Sequence, residues 1–315
     1  MTDFPGEYDS PWKAGLEQYF EQFVEYCFPK IYPNVDWSRP YESMDKELEQ
    51  VVRDAELGKR LADKLYKVWL NDGTQAWILI HVEVQGQYES GFAERIYVYN
   101  YRCFDRFRQQ VVSLVVLGDE GPSWRPSSYG YHFYGFRLHL KFPIVKLLDY
   151  ESNWDALEQS TNPFAVMIMA HLKTKATNDD MEQRRQWKWA LVRGLYDRGY
   201  NKGDILELFR LVDWMMTLPE ELQASFEEQI ERYQEESKMP LLSQIETRAM
   251  RRGIQQDARE SAIAVLEVRF GEVPEAIADT INSIDDVAFL KQLHRQAIVI
   301  GSLEEFEQLL SEEQN

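Results

Sequence analysis

From Ala76 the chain is apolar to Ile80 and then alternates polar and apolar to Gln85. Ile78, Ile80, Val82 and Val84 fall at one parity; Trp77, Leu79, His81, Glu83 and Gln85 fall at the other. A period of two is the mark of a β-strand, whose side chains point to opposite faces in turn. The first set is wholly apolar and predicts a core face. The second turns polar toward its end and predicts a site face. Upstream, Asp63 to Leu70 predicts a partner strand, and Asn71-Asp72-Gly73 predicts the turn between them, because these residue types tolerate left-handed backbone. A three-residue loop at Asp72–Thr74, or a five-residue loop at Asn71–Gln75, places Asp63 directly opposite Glu83, whereas a loop one residue different puts them on opposite faces unless a bulge restores the register.

The neighbouring pattern extends this hairpin into an α/β unit. Leu16, Tyr19, Phe20, Phe23, Val24 and Cys27 recur at helical spacing and predict one helix from Lys13 to Phe28, stopped by Pro29. Lys46 to Val52 fits a short strand or a helical turn. Phe92 to Phe107 predicts a helix with Phe92, Ile96, Tyr99, Cys103, Phe104 and Phe107 on one face. The apolar run Val111–Leu117 predicts a strand buried on both sides, joined to the preceding strand by a helical crossover. Tyr131–Leu140 and Pro143–Leu148 predict further strands. After Asp149 the strand signal ends. Asn162-Pro163 is a helix start, and helices are predicted at Pro163–Lys175, Asp179–Arg198, Lys202–Met216, Glu220–Glu236 and Leu241–Phe270, with short ones from Glu272 onward. The expected organisation is an α/β domain at 1–155, a mixed sheet flanked by helices, followed by an all-helical region at 156–315.

Composition narrows the functions. The chain of 315 residues is 44% apolar, enough for a sizeable core. It has no apolar run long enough to span a membrane, and its N-terminus lacks a secretory pattern, so a cytoplasmic protein is expected. Cys27 and Cys103 sit in apolar settings and are expected as buried thiols. No CxxC or HExxH spacing argues for zinc. The net charge is −18, and both halves are acidic. Bulk charge therefore argues against non-specific nucleic-acid binding. A nucleic-acid enzyme built on this chain needs a local basic path and a metal.

The chemistry-bearing pair is Asp63 and Glu83. Two carboxylates on adjacent strands repel unless a cation, a shared proton or solvent compensates. Mg²⁺ is one such cation, since it takes one or two carboxylates together with water and phosphate oxygens. The alternative is a solvated strand end. An Asp on one strand, a turn, and Glu-x-Gln at the end of the next resembles the PD-(D/E)XK nuclease pattern. With RLADKLYKV, NDG, WILIHVEVQGQ and FAERIYVYNYR, the chain resembles the Rpn family of recombination-promoting nucleases, also described as YhgA-like transposases. The resemblance implies a PD-(D/E)XK nuclease-like fold and a DNA endonuclease linked to recombination or transposition. It implies Asp63, Glu83 and the Val84 carbonyl as ligands of Mg²⁺ or Mn²⁺. It implies Gln85 in the usual lysine position, Glu21 as a candidate additional acid, and DNA as partner. Gln85 can orient a water but brings no positive charge; Arg95 is the candidate phosphate contact. The competing reading is a catalytically silent nuclease fold that acts as an interaction module through its helical tail, which is also a candidate surface for homo-oligomers.

Overall fold

A computed structural model describes residues 9–48, 62–83, 91–237, 244–271, 273–284 and 286–312. The chain divides into two units, Tyr8–Leu172 and Lys173–Asn315 with Met1–Glu7.

The first unit is α/β. Its elements in order are α1 (Asp9–Gln18), α2 (Phe20–Cys27), β1 (Glu42–Ser43), β2 (Ala62–Trp69), β3 (Gln75–Glu83), α3 (Phe92–Phe107), β4 (Val111–Leu117), β5 (Ser128–Phe133), β6 (Phe136–Lys141), β7 (Ile144–Lys146), α4 (Trp154–Gln159) and α5 (Pro163–Ala176). Five strands form a mixed sheet in the order β1-β2-β3-β4-β7. The β1–β2 and β2–β3 pairs are antiparallel, and β3–β4 and β4–β7 are parallel. The predicted crossover is therefore present: β3, α3 and β4 form it, and β4 lies inside the sheet with Leu114 to Leu117 buried.

The hairpin register differs from the expected one. The loop is Asn71–Gly73: the Leu70 amide donates to the Thr74 carbonyl (2.8 Å) and the Gly73 amide to the Leu70 carbonyl (2.9 Å). Asp72 Oδ1 accepts from the Thr74 amide and hydroxyl at 2.9 and 2.6 Å. Gly73 has φ +84°. A three-residue hairpin loop needs its left-handed residue in third place. Gly73 meets that need, whereas a loop at Asp72–Thr74 would put β-branched Thr74 there. Asp63 consequently pairs with His81, not Glu83. A Cβ built on Gly73 meets nothing within 4 Å, so a side chain there strains only the backbone. Gly73→Ala is expected to lower stability by about 1 kcal/mol, seen as a lower urea midpoint at unchanged slope.

Both faces of β2 and β3 are covered, so the division into a core face and an open site face does not hold along their length. On the even-numbered face, Phe20 stacks on Tyr66 (3.9 Å between centroids) and the Tyr66 hydroxyl donates to the Leu16 carbonyl (3.0 Å). The expected single helix is broken at Tyr19 (ψ 39°), which turns Phe20 onto that ring. Lys64, on the same face, is buried between Glu17 and Asp45. On the odd-numbered face, Leu65, Trp77 and Leu79 pack with Tyr99 and Cys103 of α3. A strand can be apolar at both parities when helices lie on both sides of its sheet.

Of the two readings left open for Lys46–Val52, the helical turn is the one found over 46–48, and one other expectation changes. Residues 45–48 are helical, and the first edge strand is Glu42–Ser43 upstream of them; the rest of the 46–52 prediction lies outside the described residues. Tyr131–Leu140 is not one strand. It contains a turn at Tyr134 (φ 43°) and Gly135 (φ 87°), so that β5 and β6 form a separate antiparallel hairpin. Two consecutive left-handed residues are the requirement of the tight two-residue turn. Cys27 and Cys103 are buried thiols, and burial pushes Cys27 up to about 12.

The second unit contains α6 (Met181–Asp197), α7 (Lys202–Met215), α8 (Glu220–Ser237), α9 (Gln244–Phe270), α10 (Glu275–Ser283), α11 (Val287–Val299) and α12 (Leu303–Glu312). Asp180 and Asn201 cap α6 and α7 through bonds from the Gln183 and Asp204 amides. Buried Lys188 pairs with Asp213 (2.6 Å) and donates to Gln223 (2.9 Å). Ala258, Ala262 and Leu266 of α9 form a core with Leu290, Leu293 and Ala297 of α11, and Phe306 and Leu310 of α12 close it. The small residues on α9 let the two helices approach closely. The basic run Arg248–Arg252 on α9 has its side chains outside the described residues.

Candidate functional site

Asp63 and Glu83 lie on one face of adjacent strands. Register pairs share a face, and so do residues two apart along a strand. Asp63 pairs with His81, and Glu83 is two positions beyond His81 on β3. The actual register is displaced by two from the expected one, which preserves parity. Asp63 and Glu83 therefore occupy diagonal register positions instead of directly opposed ones. Their side chains lie outside the described residues, as do Val84 and Gln85.

The next strands extend the row. Glu83 pairs with Leu117 of β4, and Leu117 pairs with Lys146 of β7. Glu83, Leu117 and Lys146 thus share a face at the carboxyl ends of the three parallel strands. Ligands of open α/β sheets gather outside these ends. α3 reaches this edge by its first turns, where Phe92 and Ile96 pack on Val115 and Leu117. Arg95 stands in the same turns, largely buried, its guanidinium 5.3 Å from the Phe92 ring centroid. Tyr99, one turn further, stacks on buried His81 at 5.8 Å and 8°.

The sequence reading missed Asp119 and Lys146. Lys146 Nζ pairs with Asp119 Oδ1, and both side chains are almost fully buried, at 0% and 2% exposure. The other Asp119 oxygen accepts from the Gly121 amide at 2.9 Å. Lys146 also lies 5.9 Å from the Trp124 centroid, and Trp124 meets Phe92 edge-on at 5.2 Å. Nearby, Arg125 grips Asp149 through two bonds of 2.7 and 2.5 Å, which hold the Asp149 carboxyl below its ordinary range. A lone Lys inside the apolar IVKLL and an Asp directly after VVSLVVLG were the available signals. A charge inside an apolar run is worth pairing with another such charge, because burial without a partner is costly.

Glu21 is not brought to this edge. It lies in α2, in the layer against the even-numbered face, and accepts from the Tyr32 hydroxyl at 3.0 Å. Among the described residues, no group of three or more His, Cys, Asp or Glu is placed to hold a metal ion. The two carboxylate positions, Asp63 and Glu83, are of the hard oxygen-donor type that Mg²⁺ prefers. No helix among the described residues is long and apolar enough to cross a membrane. No family model, curated protein or solved structure matches the chain.

Proposed function

We propose that the α/β unit is a metal-dependent DNA endonuclease of the PD-(D/E)XK kind, with Asp63 and Glu83 holding Mg²⁺ or Mn²⁺. One observation carries this reading. An antiparallel hairpin leads through a crossover helix into a parallel strand, and its two carboxylate positions share a face at the sheet's carboxyl edge. The resemblance of the sequence to the Rpn family supplies the same two residues independently of the register.

The metal, when bound, lowers the pKa of a water and neutralises charge that builds on the phosphate. The chain's own residues do the rest. By the resemblance, the Val84 carbonyl would add a ligand to the metal, and Gln85 would orient the attacking water without supplying charge. Arg95, held against Phe92 in the first turns of α3, brings positive charge to the edge where Gln85 cannot.

The test is cleavage of supercoiled plasmid by the purified chain at low salt in Mg²⁺, Mn²⁺ or EDTA. Nicking that needs the metal is expected. Folded protein that leaves the plasmid intact in both metals would sink the reading and leave the silent interaction module, a possibility that the net charge of −18 favours.

A further inference from the structure

The β5–β6 hairpin segregates its side chains in a way the fold does not require. The register pairs Tyr129 with Leu140, Tyr131 with Leu138 and Phe133 with Phe136, so these residues share one face. Gly130 with His139, His132 with Arg137 and Ser128 with Lys141 make up the other. One face is aromatic and apolar; the opposite face is basic and polar. An apolar hairpin face normally packs on a core. This one is covered only at its base, where Leu140 meets the cluster of Phe92, Ile96 and Leu117. Toward the tip, Tyr131 is 48% exposed, Phe136 55%, Phe133 65% and Tyr134 95%.

The aromatic surface continues onto α3. Tyr97 stacks on Tyr129 at 5.2 Å and 22°, and Tyr101, itself half exposed, lies parallel to Tyr97 at 6.1 Å and 19°. Tyr131 follows Tyr129, and Phe136 lies 5.6 Å from Tyr131. A run of rings thus passes from α3 to the hairpin tip. Glu94 is an acid facing it, beside Tyr129 at the base.

Charge selects the occupant. Residues 121–148 carry Arg125, Arg137, Lys141 and Lys146 and no Asp or Glu, in a chain of net charge −18. Arg125 and Lys146 are paired with Asp149 and Asp119. Among the described residues, Arg137 and Lys141 on the hairpin have no acidic partner. Exposed rings bind single-stranded nucleic acid by stacking its bases. Arg137 and Lys141, on the reverse of this two-stranded ribbon, lie within about a Debye length of a strand laid on the rings and attract its phosphates through the field rather than by direct contact. We infer that the β5–β6 hairpin and the Tyr97–Tyr101 side of α3 form a stacking platform for unpaired nucleotides. The inference rests on the endonuclease reading and deepens it, making DNA with unpaired bases the substrate class.

The experiment is fluorescence anisotropy of the full chain in EDTA, with a labelled oligothymidylate strand and a duplex of equal length. The single strand is expected to bind more tightly than the duplex. Tyr131→Ala and Phe133→Ala should each weaken it roughly tenfold, while Phe133→Trp, which keeps a ring, should retain binding. Arg137→Gln with Lys141→Gln should reduce the log–log salt slope by roughly 0.7 per charge removed. Circular dichroism checks that each variant is folded. Equal binding by wild type and folded alanine variants would overturn the inference. So would loss of binding in Phe133→Trp, Phe133-dependent dimerisation in place of strand binding, or binding confined to anionic vesicles. Asp63→Ala separates the two readings: strand binding without cleavage in any protein removes only the endonuclease. Cleavage that no hairpin variant affects, with equal strand binding, removes only the platform.

Discussion

Asp63→Ala is expected to nick plasmid about a hundredfold more slowly than the wild type in saturating Mg²⁺, with the fold intact. In the proposed site Asp63 is one of two carboxylates, and Mg²⁺ keeps few protein ligands, so losing one would halve the protein's charge on the ion. Folding should not suffer, because the position sits at the start of β2. A second readout separates a ligand from a merely structural residue. If the site binds it, Mg²⁺ at a hundred times its dissociation constant would stabilise the wild type by about 2.7 kcal/mol, so melting should rise with Mg²⁺ in the wild type and stay flat in Asp63→Ala. Equal nicking by both proteins would remove Asp63 from the site. A wild-type melting temperature indifferent to Mg²⁺ and Mn²⁺ would count against metal binding altogether.

Lys146→Met is expected to destabilise the sheet unit by about 3–5 kcal/mol. The substitution leaves the Asp119 carboxylate buried with only the Gly121 amide as partner. Most of the loss is the cost of an uncompensated buried charge, not the worth of the ion pair. The double variant Asp119→Leu with Lys146→Met tests that distinction. It removes both charges and is expected to recover most of the stability, since apolar replacement of a buried pair is often neutral or better. Urea unfolding of the four proteins completes the cycle. A double variant as unstable as the single one would mean that Lys146 contributes through its contact with Trp124 instead. Lys146 shares a register row with Glu83, so cleavage measured at a temperature where the single variant is folded also reports whether that charge assists the site.

Much of the architecture was legible because its signals are local. The period of two in Ile80–Gln85 marked β3, the helical period marked α3, and the doubly apolar Val111–Leu117 marked a central parallel strand reached by a crossover. Asn162 was readable as a cap, and its side chain does accept from the Phe164 amide at 3.0 Å. The break at Tyr19 was not readable, because Leu16 and Phe20 keep helical spacing through it. Nor was the turn inside Tyr131–Leu140, where Tyr134 adopts a left-handed conformation unusual for its type.

The candidate site divides along the same line. In the sequence by itself, the residue types and their places at the two strand ends singled out Asp63 and Glu83 as the candidates for the chemistry, but their sharing a face depended on an odd-length loop, since a register shift of one would have parted them whereas a shift of two does not. Tertiary structure decided how they stand: Gly73 took the left-handed third place of the loop and put His81 opposite Asp63. It also decided that α3 covers the odd-numbered face beside them, and that Asp119 and Lys146, 27 residues apart, meet in the core. Local periodicity reports the faces of an element, whereas burial depends on what packs against each face, and that follows only from the whole chain's fold.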